Sequence, residues 1–246
     1  MKRPWIILLI IGALLSGACS ISGGGHTLRG SGTVESETRE VSDFTRISID
    51  GVGELHLVQG DTASLEIEAD DNILRRIQTR VVNGELYIDY ESGFWGWNIL
   101  PSRPIRFYVT VPELEEMTIN GGARILNEGW EGDELRLVVN GAADISWWNV
   151  SLNALDIRLE GGADCDISGQ TGQLDLQVDG AGSVNLDDMQ VTRASVTVNG
   201  VSDVRLWVTD SLDVDINGAG QVQYYGAAEV VSQIDGIGSV RKLGEK

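Results

Sequence analysis

The chain has 246 residues, with 18 Lys and Arg against 37 Asp and Glu, for a formal net charge of −19. A surface so acidic repels phosphate backbones and anionic headgroups, which excludes nucleic acid as a partner and charge-driven attachment to a membrane. With two Cys in all, at most one disulfide is available, so the fold cannot rest on a disulfide framework.

The N-terminus reads as a leader. Lys2 and Arg3 precede an apolar stretch from Trp5 to Leu15, which is shorter than the roughly 20 residues a bilayer span needs. It fits the apolar region of a signal peptide and is set aside from fold reasoning. Leu15-Ser16-Gly17-Ala18-Cys19 resembles the bacterial lipoprotein signal. That implies a signal peptide over 1–18, cleavage before Cys19 and lipid attachment at Cys19. Each buried acyl methylene contributes about 0.8 kcal/mol, so two or more chains hold stably. The mature chain then keeps 16 basic and 37 acidic side chains, a charge of −21. Residues 19–32 are rich in Gly and Ser and read as a flexible tether. If Cys19 is lipidated, Cys165 has no partner in its own chain.

The remainder, 33–246, reads as one domain, with a cap and hairpins over 33–115 and tandem coils over 116–246. Within 33–115, TRVV and ELYIDY flank Asn83-Gly84, a strong hairpin signal. Gly60-Asp61 reads as a second turn, Ile105 to Val111 as a strand, and Asn72 to Ile77 as one helical turn at most. An antiparallel sheet capping the first coil is expected here.

From Asn120 onward an internal repeat sets the fold. An Asn, Asp or Glu is followed by Gly, two mostly small residues, a polar residue and an apolar one. The copies begin at Asp50, Asn120, Asn140, Glu160, Asp179, Asn199, Asn217 and Asp235, and from Asn120 they recur every 18–20 residues. The sixth position is Leu55, Ile125, Ile145, Cys165, Val184, Val204, Val222 and Val240. The residue before each block is Ile49, Ile119, Val139, Leu159, Val178, Val198, Ile216 and Ile234. Polar residues alternate with these, the period-2 mark of strands with one buried face. Stacking such strands in register buries the apolar columns as one core. The fold class is therefore all-β: a parallel β-helix or β-solenoid of about 18–20 residues per coil, with an N-terminal antiparallel hairpin region. Seven tandem blocks at about 4.8 Å each would make a rod roughly 30 Å long. The turn glycines are Gly51, Gly121, Gly141, Gly161, Gly180, Gly200, Gly218 and Gly236, expected to supply positive φ. The leading Asn and Asp tolerate left-handed backbone or bond their own turn, and are expected to stack as a ladder.

VSDFTRISIDGVGELHLVQG (Val41 to Gly60), EADDNILRRIQTRVVNGELYI (Glu68 to Ile88) and the repeats resemble the bacterial family called putative auto-transporter adhesin, head GIN domain. The resemblance covers roughly Gly30 to Lys242. It implies a β-solenoid-like fold in an exported, often lipid-anchored protein with an adhesin-like role. It supplies no catalytic residues.

Chemistry is sparse. His26 lies in the tether, and His56 points outward on a strand between Leu55 and Leu57. Neither sits in a metal-ligand or triad pattern. The glycines are turn glycines and lack the helix a nucleotide loop needs. Cys165 falls in the inward column, where a small buried thiol is the ordinary case. Asp144, Asp164 and Asp166 face outward on adjacent coils. They read as a calcium candidate, or as a solvated face with Arg124 relieving Asp144. Glu116, Arg136 and Asp156 align as a salt-bridge ladder. Trp147 is expected inward or at a corner, Trp148 outward and Trp130 in a return turn. Trp95 and Trp97 belong to a loop. Exposed aromatics mark binding surfaces for sugars or proteins.

The sequence therefore reads as a cell-envelope protein anchored through Cys19, in the outer membrane where there is one, since Ser20 is not the Asp that marks inner-membrane retention. Its expected role is adhesin-like binding of an envelope protein or glycan, with no catalysis, cofactor or metal. Two alternatives stand beside it. One is a structural module that assembles through its coil ends. The other is a glycan-active β-helix enzyme, which would need a loop-built cleft that such short coils leave little room for.

Overall fold

The computed structural model describes residues 27–91 and 99–246. The leader, Cys19, His26, Trp95 and Trp97 lie outside the described residues. The core of the fold is a stack of parallel coils. Its first strands are β10 (Glu116–Ile119), β11 (Gly122–Asn127) and β12 (Trp130–Val139). Four long strands follow: β13 (Ala142–Leu159), β14 (Gly162–Val178), β15 (Ala181–Val198) and β16 (Val201–Ile216). The last coil pieces are β17 (Ala219–Tyr225), β18 (Glu229–Ile234) and β19 (Ile237–Gly244). Every neighbouring pair is parallel and in the register the repeat requires: Ile145 lies opposite Cys165, Cys165 opposite Val184, and Val184 opposite Val204. Alternation then sends one side chain in two to the interior. Ile125, Ile145, Val184, Val204 and Val222 are all sealed, and so are Ile119, Val139, Val178, Val198 and Ile216. The solenoid is as the repeat implied, and antiparallel strands lie near the N-terminus as the hairpin signals implied.

A coil needs few loops, because each long strand runs through a corner. The register slips at these corners, between Trp147 and Val150, between Asp166 and Gly169 and between Leu186 and Gln190. Such bulges absorb the difference between 18- and 20-residue coils without disturbing the flanking columns. Trp130, expected in a return turn, instead opens β12 and is buried at 1% exposure. The corner before it is so tight that the indole is carried into the core.

The eight repeat glycines sit between strands, but not for the expected reason. None adopts the left-handed turn conformation; Gly51 alone has positive φ, at 159°, close to extended. Their requirement is close approach. A Cβ on Gly141 would lie 2.0 Å from the carbonyl oxygen of Gly121, one on Gly161 1.8 Å from that of Gly141, and one on Gly200 1.8 Å from that of Gly180. The same carbonyls accept the amides of the next coil: Gly162 N donates to Gly141 O at 2.9 Å and Val201 N to Gly180 O at 2.9 Å. The oxygen therefore occupies the space a side chain would need. Beside this column runs the side-chain ladder. Asn120 donates to Asp50 at 2.6 Å, Asn140 to Asn120 at 2.8 Å, Asn199 to Asp179 at 2.6 Å and Asn217 to Asn199 at 3.0 Å. No ladder residue is left-handed; the amides bond across coils rather than within their turns.

The N-terminal region continues the stack. β3 (Arg46–Ile49) pairs with β10, and β4 (Val52–Gln59) with β11. Beyond them lie β5 (Ser64–Asp70), β6 (Ile77–Val82), β7 (Glu85–Tyr90) and β9 (Arg106–Val111). β7 pairs with β3 and β9 with β4, both parallel. β6 closes antiparallel on β7 through Asn83 at φ 53° and Gly84 at φ 75°, the two-residue turn the sequence signalled. β2 (Val34–Arg39) and β5 run antiparallel, as do β5 and β9. The one helix among the described residues, α1 (Asp71–Leu74), is a single turn.

The end of the expected tether is held to this cap. β1 (Leu28–Arg29) pairs with β8 (Ile99–Leu100). The buried carboxylate of Asp70 accepts hydrogen bonds from Gly32 N at 2.8 Å, Ser102 N at 2.8 Å and Ser102 Oγ at 2.6 Å. Burial pushes that carboxyl up, but these donors more than offset it and hold its pKa below the ordinary value.

Candidate functional site

The outward faces of β9, β4, β11 and β13 form one continuous surface, and register fixes what meets there. Tyr108 lies opposite His56, His56 opposite Leu126, and Leu126 opposite Ser146. The imidazole of His56 stacks on the Tyr108 ring, with centroids 4.8 Å apart and planes at 27°. One step further along the strands, Val58 and Trp148 are 56% and 42% exposed. Between them is a cleft of about 590 Å³, lined by His56, Val58, Gln59, Leu126, Glu128 and Trp148 among others.

Each wall has a local cause. Asn149 takes left-handed backbone at φ 57°, which Asn tolerates better than most residues. Its amide donates to the Glu128 carbonyl at 3.2 Å. The resulting bulge sends Trp147 inward, fully buried, and leaves Trp148 facing solvent, as alternation had placed them. The floor is tied across strands. Buried Asn127 donates to Leu57 O at 2.9 Å and accepts from Gly129 N at 3.0 Å. Gln59 donates to Glu131 O at 2.7 Å and accepts from Glu131 N at 2.9 Å. An aromatic platform thus stands on a backbone-bonded base, with Glu128 at its rim and Glu54 3.9 Å from His56 Nε2. Glu54 is itself neutralised by Arg106 at 3.0 Å, which also grips Glu68 at 2.7 Å; those hydrogen bonds raise the arginine pKa. Such a surface can stack on the apolar face of a neutral ring and offer polar atoms at its edge.

The other predicted positions lie elsewhere. Asp144 and Asp164 are opposite each other on β13 and β14, with Asp166 two residues on. They are not gathered: Arg124 pairs with Asp144 at 2.6 Å, Asp164 accepts from Ser183 N at 3.2 Å, and Asp166 accepts from Asn185 at 3.4 Å. Among the described residues no three His, Cys, Asp or Glu side chains are placed to hold a metal ion. Arg136 and Asp156 stand 3.8 Å apart with Arg158 joining at 3.2 Å, while Glu116, opposite Arg136 in register, accepts from Thr118 at 3.3 Å. Cys165 is buried, and burial together with Asp164 and Asp144 pushes its thiol up to about 12. A thiol that far from ionising is no nucleophile. Sequence reasoning flagged Trp148 but missed its neighbours, because His56 and Tyr108 meet only through strand pairing.

The family model described as "putative auto-transporter adhesin, head GIN domain" matches residues 43–228. The chain belongs to this family. That span holds every strand that builds the cleft of the GIN-domain chain. Its fold is shared by solved structures. A putative adhesin from Bacteroides fragilis superposes with a TM-score of 0.78 at 20% identity, over 88% of this chain and 100% of the other. A putative adhesin from Parabacteroides distasonis gives 0.62 at 20% identity, over 88% and 99%. A putative lipid binding protein from the same species gives 0.61 at 18% identity, over 88% and 99%. No curated protein matches the chain.

Proposed function

We propose that this GIN-domain protein is a lipid-anchored adhesin-like binder of the cell envelope, held through Cys19, which takes its ligand in the His56–Trp148 cleft. The adhesin family points to an extracellular or cell-surface protein. The Leu15-Ser16-Gly17-Ala18-Cys19 motif favours an acyl anchor as the attachment. The outer membrane is the site in a cell that has one. The observation that carries the binding role is Trp148, a large aromatic kept at 42% exposure by a bulge that simultaneously buries its neighbour Trp147. An envelope glycan or protein presenting a ring fits that platform better than an acidic polymer, which the chain's charge would repel.

The test displays the full chain in cells and probes it with a glycan and envelope-fraction array. Wild type should fractionate with membranes and give saturable binding. Trp148→Ala should stay in the membrane fraction and lose at least tenfold in affinity. Cys19→Ser should release the protein while leaving binding intact. Equal binding by Trp148→Ala would remove the cleft from the reading, and membrane retention of Cys19→Ser would remove the anchor.

A further inference from the structure

Further along the same corner, on the later coils, the chain holds one of its own cations in an aromatic cage. The bulge between Leu186 and Gln190 turns Asp187 and Asp188 outward at a corner. On the following coils, Trp207 and Tyr225 lie opposite each other in register. The Lys246 ammonium sits 5.7 Å from the centre of the Trp207 ring and 5.3 Å from that of Tyr225. It is 2.6 Å from Asp188 Oδ1 and 3.8 Å from Asp187 Oδ1, and it donates to the Asp187 carbonyl. Two ring faces, two carboxylates and a carbonyl thus converge on one nitrogen. Each ring face within about 6 Å attracts a cation through its quadrupole.

The cage is built by the coils and not by its occupant. Trp207 and Tyr225 are set by the register of β16 and β17, and Asp187 and Asp188 by the bulge within β15. Lys246 stands beyond the end of β19, two residues after Gly244, on backbone in no strand. Its side chain is 31% exposed and that of Asp188 74% exposed, so the site opens to solvent. We infer that Asp187, Asp188, Trp207 and Tyr225 form a binding site for a primary alkylammonium group, the side chain of a lysine presented by a partner, and that Lys246 competes for it from within the chain. The acceptors select the ligand. A primary ammonium has N–H donors for Asp187 O and Asp188 Oδ1, whereas a trimethylammonium has none and keeps only the ring contacts. The net charge of −19 draws cations toward the whole surface. A tethered competitor acts at an effective concentration on the order of millimolar, so its removal should tighten outside binding markedly.

The experiment titrates the full chain with Nα-acetyl-lysine methylamide and follows the Trp207 indole N–H by NMR, assigned through Trp207→Phe. Lys246→Ala should bind saturably and at least tenfold more tightly than wild type. In Lys246→Ala, the trimethyl-lysine and norleucine analogues should each bind at least fivefold more weakly than the lysine probe. Absence of a saturable shift in Lys246→Ala, with the other indole signals in their wild-type positions, would reduce the cage to a fastening for the end of β19. Equal affinity of wild type and variant, or of the three analogues, would likewise overturn the assignment.

Discussion

Ile216 and Ile234 occupy the same column on adjacent coils, directly opposite each other, yet Ile216 is fully sealed and Ile234 is 41% exposed. Ile216 has a coil on either side. Ile234 has one only, and the other inward residues of its coil, Val230 and Val240, are half-buried where their partners Leu212 and Val222 are sealed. At the other end β3 and β4 face no such loss, because β7, β9 and the antiparallel β5 and β2 extend their sheets. The same residue in the same repeat position is therefore core or surface according to its neighbour coil. In a stack of this kind stability is a sum of coil and interface contributions, and burial is a property of the interface.

That contrast can be broken at the glycine column. Gly161→Ala puts a methyl 1.8 Å from the Gly141 oxygen between two fixed coils. Over-packing of a fixed site costs about 3 kcal/mol or more. Gly236→Ala meets the Gly218 oxygen at a similar 1.9 Å, but its coil is free to shift outward. Chemical denaturation should show the first variant largely unfolded at 37 °C and the second within about 1 kcal/mol of wild type. Equal losses would mean that the last coil is as fixed as the interior. The apolar columns give a smaller version of the same contrast. Ile157→Ala should cost roughly 2–5 kcal/mol through the cavity it leaves, and Ile234→Ala under about 0.5 kcal/mol. The ladder gives the smallest. Asn199→Ala removes bonds to Asp179 and from Asn217 and should cost about 1 kcal/mol. Asp235, just past β18, accepts from Gln233 of that strand, and its loss should be within about 0.5 kcal/mol of neutral.

Strand identity was legible because a column such as Ile125, Ile145, Cys165 and Val184 alternates with polar residues at fixed distance from each Gly. The hairpin at Asn83-Gly84 was legible for a similar reason: its turn chemistry is local. The cause of the glycine requirement was not. A positive φ is a property of one residue, whereas the contact between Gly161 and the Gly141 oxygen exists only once the coils stack. Trp130 was misplaced because a corner cannot be distinguished from a longer turn by composition. The candidate cleft was half visible. Trp148 follows from alternation, but His56 and Tyr108 are brought together by a pairing across 52 residues that no local pattern announces. The Lys246 cage gave no signal at all, since it depends on a bulge, two coils and a residue beyond β19.

The glycine column also bears on how such molecules change length. The oxygen of one turn fills the space left by the next, so the upper surface of any interior coil is complementary to the lower surface of any other. Duplication of a segment such as 199–216 would keep this glycine contact at both faces of the added turn. Each such event would lengthen the protein by about 4.8 Å. Length is then a quantity that evolution can adjust in whole steps, independently of the cleft near the first coils.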